Sequence, residues 1–107
     1  MADLHVAKTI LIQLGGNRFT AMTGAKDYLG SEAEKSLAFR LPSRFAKNGI
    51  NRVKIILDDS DTYVVEAMKI TKGKAGLMAT MIETRAQIYA EDLQKVFTEI
   101  TGLDTHL

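Results

Sequence analysis

Apolar residues recur along the chain in two rhythms, and the change of rhythm marks where helices give way to strands. Val6, Ala7, Ile10, Leu11 and Leu14 share one face of a 3.6-residue period, which predicts an amphipathic helix over residues 4–14 with Asp3 as its N-cap. Gly15 and Gly16 end it, because glycine takes the left-handed conformation that a helix stop requires. A second helical stripe closes the chain: Tyr89, Leu93, Val96, Phe97 and Ile100 lie opposite Glu91, Asp92, Gln94, Lys95 and Glu99, and Gly102 is its stop.

Between the two helices the period falls to two. Leu37, Phe39 and Leu41 alternate with Ala38 and Arg40 until Pro42. Val53, Ile55 and Leu57 alternate with Arg52, Lys54 and Ile56, and a strand over residues 62–70 sets Tyr63, Val65 and Ala67 opposite Val64, Glu66 and Met68. Residues 18–23 read as a first short strand, with Phe19 and Ala21 on one side and Arg18, Thr20 and Met22 on the other, and residues 24–35 read as a loop. Leu77–Gln87 suits a fifth strand, although Met78, Ala79 and Met81 suit a helix equally well. Asn48-Gly49, the run Asp58-Asp59-Ser60-Asp61, and Lys72-Gly73-Lys74 with Gly76 are turns. Connections this short join antiparallel neighbours, since a parallel crossover needs about a dozen residues. The order predicts an α+β fold: an antiparallel meander of four to five strands, with N-terminal and C-terminal helices on one face, in a single domain over residues 1–107.

Composition narrows the function classes. At 107 residues, 46% hydrophobic and 25% charged, the chain has room for one core and none of the bias of a disordered segment. It has no cysteine, which excludes a disulfide framework, a thiol nucleophile and a cysteine-based zinc site. The first fourteen residues, interrupted by Asp3, His5, Lys8 and Gln13, lack the basic start and unbroken apolar core of a signal peptide. No stretch reaches the roughly 20 apolar residues of a membrane span. A cytoplasmic protein with no membrane partner and no cofactor is the expectation.

The formal net charge of +1 conceals an uneven distribution. Residues 16–54 carry eight Lys or Arg (18, 26, 35, 40, 44, 47, 52, 54) against three acids (27, 32, 34). Residues 55–107 carry five basic residues (69, 72, 74, 85, 95) against nine acids (58, 59, 61, 66, 83, 91, 92, 99, 104). Between Ser36 and Lys54 there is no acid at all, a pattern that speaks to partners rather than to fold.

Motifs that carry chemistry are sparse. His5 and His106 stand at the chain ends without a second histidine at ligand spacing, and the acidic turn at Asp58, Asp59 and Asp61 lacks the longer loop and closing glutamate of a calcium site. Gly15-Gly16-Asn17 follows a helix rather than a strand, the wrong context for cradling phosphate. Glu66, Glu83, Glu91, Asp92 and Glu99 read as surface charges, so neither catalytic residues nor a metal site are expected.

What stands out is a surface. Alternation sets Arg40, Arg52 and Lys54 opposite the core residues, with Arg18 on the same side if residues 18–23 form a strand, and Arg44 and Lys47 in the connection between the two best strands. A strand face lined in this way tracks phosphates. The plain alternative is that these charges keep an exposed sheet soluble and its edge unpaired. Met22, Ile56, Val64 and Met68 share the same nominal face, and methionine and β-branched residues among charges suit a protein interface; the alternative is that they pack under the 24–35 segment. With three Tyr and four Phe, Phe39 and Tyr63 committed to the core, a base-stacking platform is not supported.

The run Gln13-Leu14-Gly15-Gly16-Asn17-Arg18-Phe19, continuing through Ala21-Met22-Thr23-Gly24-Ala25-Lys26, resembles a signature of small uncharacterised proteins carried by bacteriophages, prophages and other bacterial mobile elements. Phe39-Arg40-Leu41-Pro42, Asp61-Thr62-Tyr63 with Val65-Glu66, and Phe97-Thr98-Glu99 leading into Thr101-Gly102-Leu103 and Thr105-His106-Leu107 agree with it. The resemblance spans nearly the whole chain, departing over Lys74–Ala86. It implies a mobile-element origin, the cytoplasm of a bacterial host and an accessory role, and brings no catalytic residue. The expectation is a non-enzymatic protein that binds another protein, or a copy of itself, through an open sheet face; nucleic acid held by residues 40–54 is the alternative.

Overall fold

The computed structural model describes residues 5–42 and 46–103, so Asp3, Leu4, Arg44 and His106 lie outside the described residues. The elements run α1 (His5–Leu14), α2 (Asn17–Thr23), β1 (Lys26–Ser31), β2 (Ser36–Arg40), β3 (Arg52–Leu57), β4 (Tyr63–Gly73), β5 (Gly76–Ile88) and α3 (Leu93–Thr101), with short 3-10 turns at Lys47–Gly49 and Ala90–Asp92. The five strands form one sheet in the order β1-β2-β3-β4-β5, every neighbouring pair antiparallel. This is the α+β meander that the alternation predicts. The fifth strand exists, and its thirteen residues settle the ambiguity over Leu77–Gln87.

The N-terminal half departs from the predicted order. Residues 17–23 are a helix, not a strand: Phe19 and Thr23, four apart, are both buried, and the Thr23 hydroxyl donates to the Phe19 carbonyl at 2.8 Å. Over seven residues the two periods are hard to separate, and Phe19 satisfies either. Gly24 ends α2 with φ 72°, its N–H returning to the Thr20 carbonyl; a Cβ there would meet Pro42 Cγ at 2.8 Å. The first strand lies instead in the segment read as a loop. Its polar sequence KDYLGS hides it, as does a bulge between Lys26 and Leu29 where Asp27 takes φ 55°.

Helices and sheet meet in one core. Ile10 and Leu14 of α1, Phe19 of α2 and Leu93, Phe97 and Ile100 of α3 pack on Leu37, Phe39, Val53, Ile55, Val65 and Ala67. At its centre Phe19 stands edge-on to Phe39 and Phe97, with centroids 5.3 and 5.0 Å away, a geometry that adds to the burial of the rings. A polar seam fixes the helices above the sheet. Tyr63 donates its hydroxyl hydrogen to Gln13 Oε1, Gln94 donates to the Gln13 carbonyl at 3.1 Å, and Arg85 of β5 reaches Glu99 of α3 at 2.7 Å. Burial pushes the Tyr63 hydroxyl pKa up, against the lowering effect of Gln13.

Candidate functional site

With the helices on one side, the residues that alternate with the core form the other side of the sheet. Cross-strand pairing orders them into rows. Lys26, Arg40, Arg52, Met68 and Met81 follow one another across the five strands; beside them run Leu29, Ala38, Lys54, Glu66 and Thr84, then Ser31, Ser36, Ile56 and Val64. Arg40, Arg52 and Lys54 therefore share one wall on the side away from the helices, with Ile56, Val64 and Met68 beside them. Leu29 is an exposed apolar residue on the same wall, while Ile56, Val64 and Met68 are half-buried.

The remaining candidates lie elsewhere. Arg18 and Met22 ride on α2, in the helical layer, because the segment is a helix and not a strand. Lys47 faces the same layer: its Nζ donates to the Glu99 carbonyl at 2.9 Å, where a cation suits the negative end of α3. Arg44 lies outside the described residues.

Acids also reach the basic wall. Arg40 pairs with Asp27 of β1 at 3.3 Å, and Lys54 is bound by Glu34 from the β1–β2 turn and stands across the ladder from Glu66. Arg52 faces Arg40 directly across the β2–β3 pair, a like-charge juxtaposition that costs stability.

A groove of about 610 Å³ opens where β3 begins and β4 continues past it, lined by Arg40, Asn51, Arg52, Ile70, Lys72, Leu77, Met78 and Ala79. None of its lining residues is acidic. The Asn51 side chain stands in for a further residue of β3: Oδ1 accepts from the Ile70 N–H at 2.7 Å and Nδ2 donates to the Ile70 carbonyl at 2.9 Å. Beyond that point the β4–β5 ribbon continues alone. Residues 71–81 are all exposed, among them Leu77, Met78 and Met81.

Sequence reading takes Lys72-Gly73-Lys74 for a turn only. The available signal is that no acid occurs between Glu66 and Glu83, while Lys69, Lys72 and Lys74 do. Among the described residues no group of three or more His, Cys, Asp or Glu is placed to hold a metal ion, and no helix is long and apolar enough to cross a membrane. No family model, curated protein or solved structure matches the chain.

Proposed function

We propose that this is a non-enzymatic binding protein whose open sheet face meets a protein partner, in the first instance a second copy of the chain. The observation that carries the reading is the placement of Leu29, Ile56, Val64, Met68 and Met81 on the side of the sheet where, among the described residues, no helix packs. Two features favour self-association. The central row sets Lys54 beside Glu66, so a two-fold axis through it brings each charge onto its opposite in the other copy. Five strands about 4.8 Å apart and about 20 Å long present roughly 450 Å² per partner, or about 900 Å² in total, a small interface of the weak or transient class. The resemblance to mobile-element proteins supports an accessory role in a bacterial cytoplasm.

Nucleic acid held by the wall from Arg40 to Lys54 is the weaker use of this face, because Asp27 and Glu34 already neutralise two of its three cations. Size-exclusion chromatography with light scattering, carried up to about 0.5 mM chain to reach a weak dimer, tests the proposal. The expected result is a concentration-dependent rise toward twice the monomer mass that Val64→Glu abolishes while the far-UV circular dichroism is unchanged. Arg18→Glu, on the helical layer, serves as the control. A monomer throughout the range overturns the proposal.

A further inference from the structure

The β4–β5 ribbon is unlike the rest of the sheet. Its last ladder pair with β3 is Met68 opposite Arg52; Asn51 adds two side-chain bonds to Ile70, and beyond them Thr71 to Gly73 pair only with Gly76 to Met78. Three residues at about 3.3 Å each carry the two-stranded arm roughly 10 Å beyond the Asn51–Ile70 bonds, before its turn. A two-stranded ribbon in water is marginally stable on its own, and this one exposes Leu77 and Met78 to solvent. Such an arm gains stability when a partner covers it.

Charge selects the partner. Between Glu66 and Glu83 the arm carries Lys69, Lys72 and Lys74 and no acid. At its foot, Arg52 and Arg40 stand side by side on the β2–β3 ladder and line the groove together with Lys72. Arg40 is already paired with Asp27, so Arg52 and Lys72 are the groove's cations left to meet an anion. A second arm, equally basic, repels this one, which argues against arm-to-arm pairing of two copies.

Shape narrows the anion further. No aromatic residue occurs between Val64 and Ile88, so the arm has nothing on which to stack single-stranded bases. Two strands with their side chains match the major groove of B-form DNA, about 12 Å wide, whereas the deep, narrow major groove of duplex RNA does not admit them. We infer that the arm is a ribbon for duplex DNA: it lies in the major groove, Lys69, Lys72 and Lys74 contact the flanking phosphates, and the Arg40–Arg52–Lys72 groove holds the backbone where the duplex meets the sheet. This inference does not rest on self-association and uses a different part of the molecule.

Anisotropy of a fluorescein-labelled 20-base-pair DNA duplex, titrated with the full chain at 50 and 200 mM NaCl, tests it. Four phosphate contacts, from the three lysines and Arg52, give a salt slope near −3.6, so the fourfold rise in salt weakens binding roughly 150-fold. Lys72→Glu with Lys74→Glu, both at exposed positions, is expected to weaken binding at least about tenfold at 50 mM and to lower the slope by about 1.8. Lys95→Glu on the exposed face of α3 leaves both unchanged. Unaltered circular dichroism and melting of the double variant keep the comparison one of binding. Absence of binding at 50 mM, equal loss with Lys95→Glu, or equal affinity for single-stranded DNA or duplex RNA overturns the inference. A double variant that changes oligomeric mass while DNA affinity stays constant also overturns it and makes the arm a protein contact. Val64→Glu is run beside it: if that variant is monomeric yet still binds DNA, the arm reading stands apart from the face reading.

Discussion

Asn51 is the residue on which the arm hinges, and its replacement by alanine has a calculable effect. Its backbone continues the β3 ladder, donating to the Met68 carbonyl at 3.0 Å and accepting from the Leu41 N–H at 2.9 Å, while its side-chain amide makes both bonds to Ile70. Asn51→Ala keeps the first pair and deletes the second. Each bond contributes about 0.5–1.5 kcal/mol net, and water reaches this half-buried site to replace part of the loss, which leaves about 1–2 kcal/mol. Because the ribbon beyond Met68 has no third strand, the loss falls on local opening of the arm rather than on the core. The Ile70 amide should therefore exchange with solvent about 5–30 times faster, the factor that 1–2 kcal/mol corresponds to. The amides of Val53 and Val65, in the paired part of the sheet, should change far less. Native-state hydrogen exchange followed by NMR measures each site. Asn51→Asp keeps the acceptor and loses the donor, so it should fall between the two. An Ile70 amide within twofold of wild type refutes the reasoning, since the arm would then be held by the β4–β5 ladder alone.

Two further expectations follow from the core and from the helix–sheet seam. Phe39→Ala removes the ring that touches Phe19, Phe97 and Tyr28, and at a fully buried site this costs about 3–5 kcal/mol, a large share of the roughly 5–15 kcal/mol expected for the whole domain. Urea denaturation reads it, and a loss under about 1.5 kcal/mol would show that α2 and α3 do not close on that ring. The hydrogen bond from Arg85 holds the exposed Glu99 carboxyl below its ordinary range, and the Ser60 hydroxyl and N–H do the same for Asp58. A depressed folded-state pKa means stabilisation that is complete at neutral pH and lost as pH falls through the folded value. Arg85→Gln should accordingly lose stability at pH 7 and show a shallower acid-side decline of Tm below about pH 4.5; an identical decline in both proteins contradicts the assignment.

Much of the fold was legible because most of its elements are amphipathic at a single period. Val53 and Ile55, and Tyr63, Val65 and Ala67, are buried in alternation, Leu37 and Phe39 are buried in β2 along with the small Ser36 and Ala38 of its other face, and Leu93, Phe97 and Ile100 are buried in helical spacing. Legibility ended where a segment was too short or too exposed to show its period. Residues 17–23 bury only Phe19 and Thr23, a pair that fits a helix only once Gly24 is seen to cap it. β1 buries no residue, so its strand character comes from pairing with β2, a long-range interaction with no local hydrophobic signature. The arm was the converse case: its strand was visible, but its isolation was not, because nothing in the alternation says that β3 begins only at Arg52, opposite Met68, while β4 runs on to Gly73.

The candidate surface failed and succeeded for the same reason. Alternation assigned Arg40, Arg52 and Lys54 to the side away from the helices, and cross-strand pairing places them there. What alternation could not supply is which acids approach them from outside the two strands. Both Asp27 and Glu34 belong to the stretch read as a loop, and once that stretch becomes β1 and its turn, it carries one carboxylate to Arg40 and the other to Lys54. Misreading one edge strand thus created the apparent acid-free wall around residues 40–54. The acid-free charge that survives in three dimensions lies further along, where Arg52 and Lys72 flank a groove with no carboxylate in its lining. A linear count of charge finds a partner surface only where the chain is its own nearest neighbour, as in a hairpin; across a five-stranded sheet the neutralising residue comes from the next strand, and the register decides which cation remains free to meet an anion.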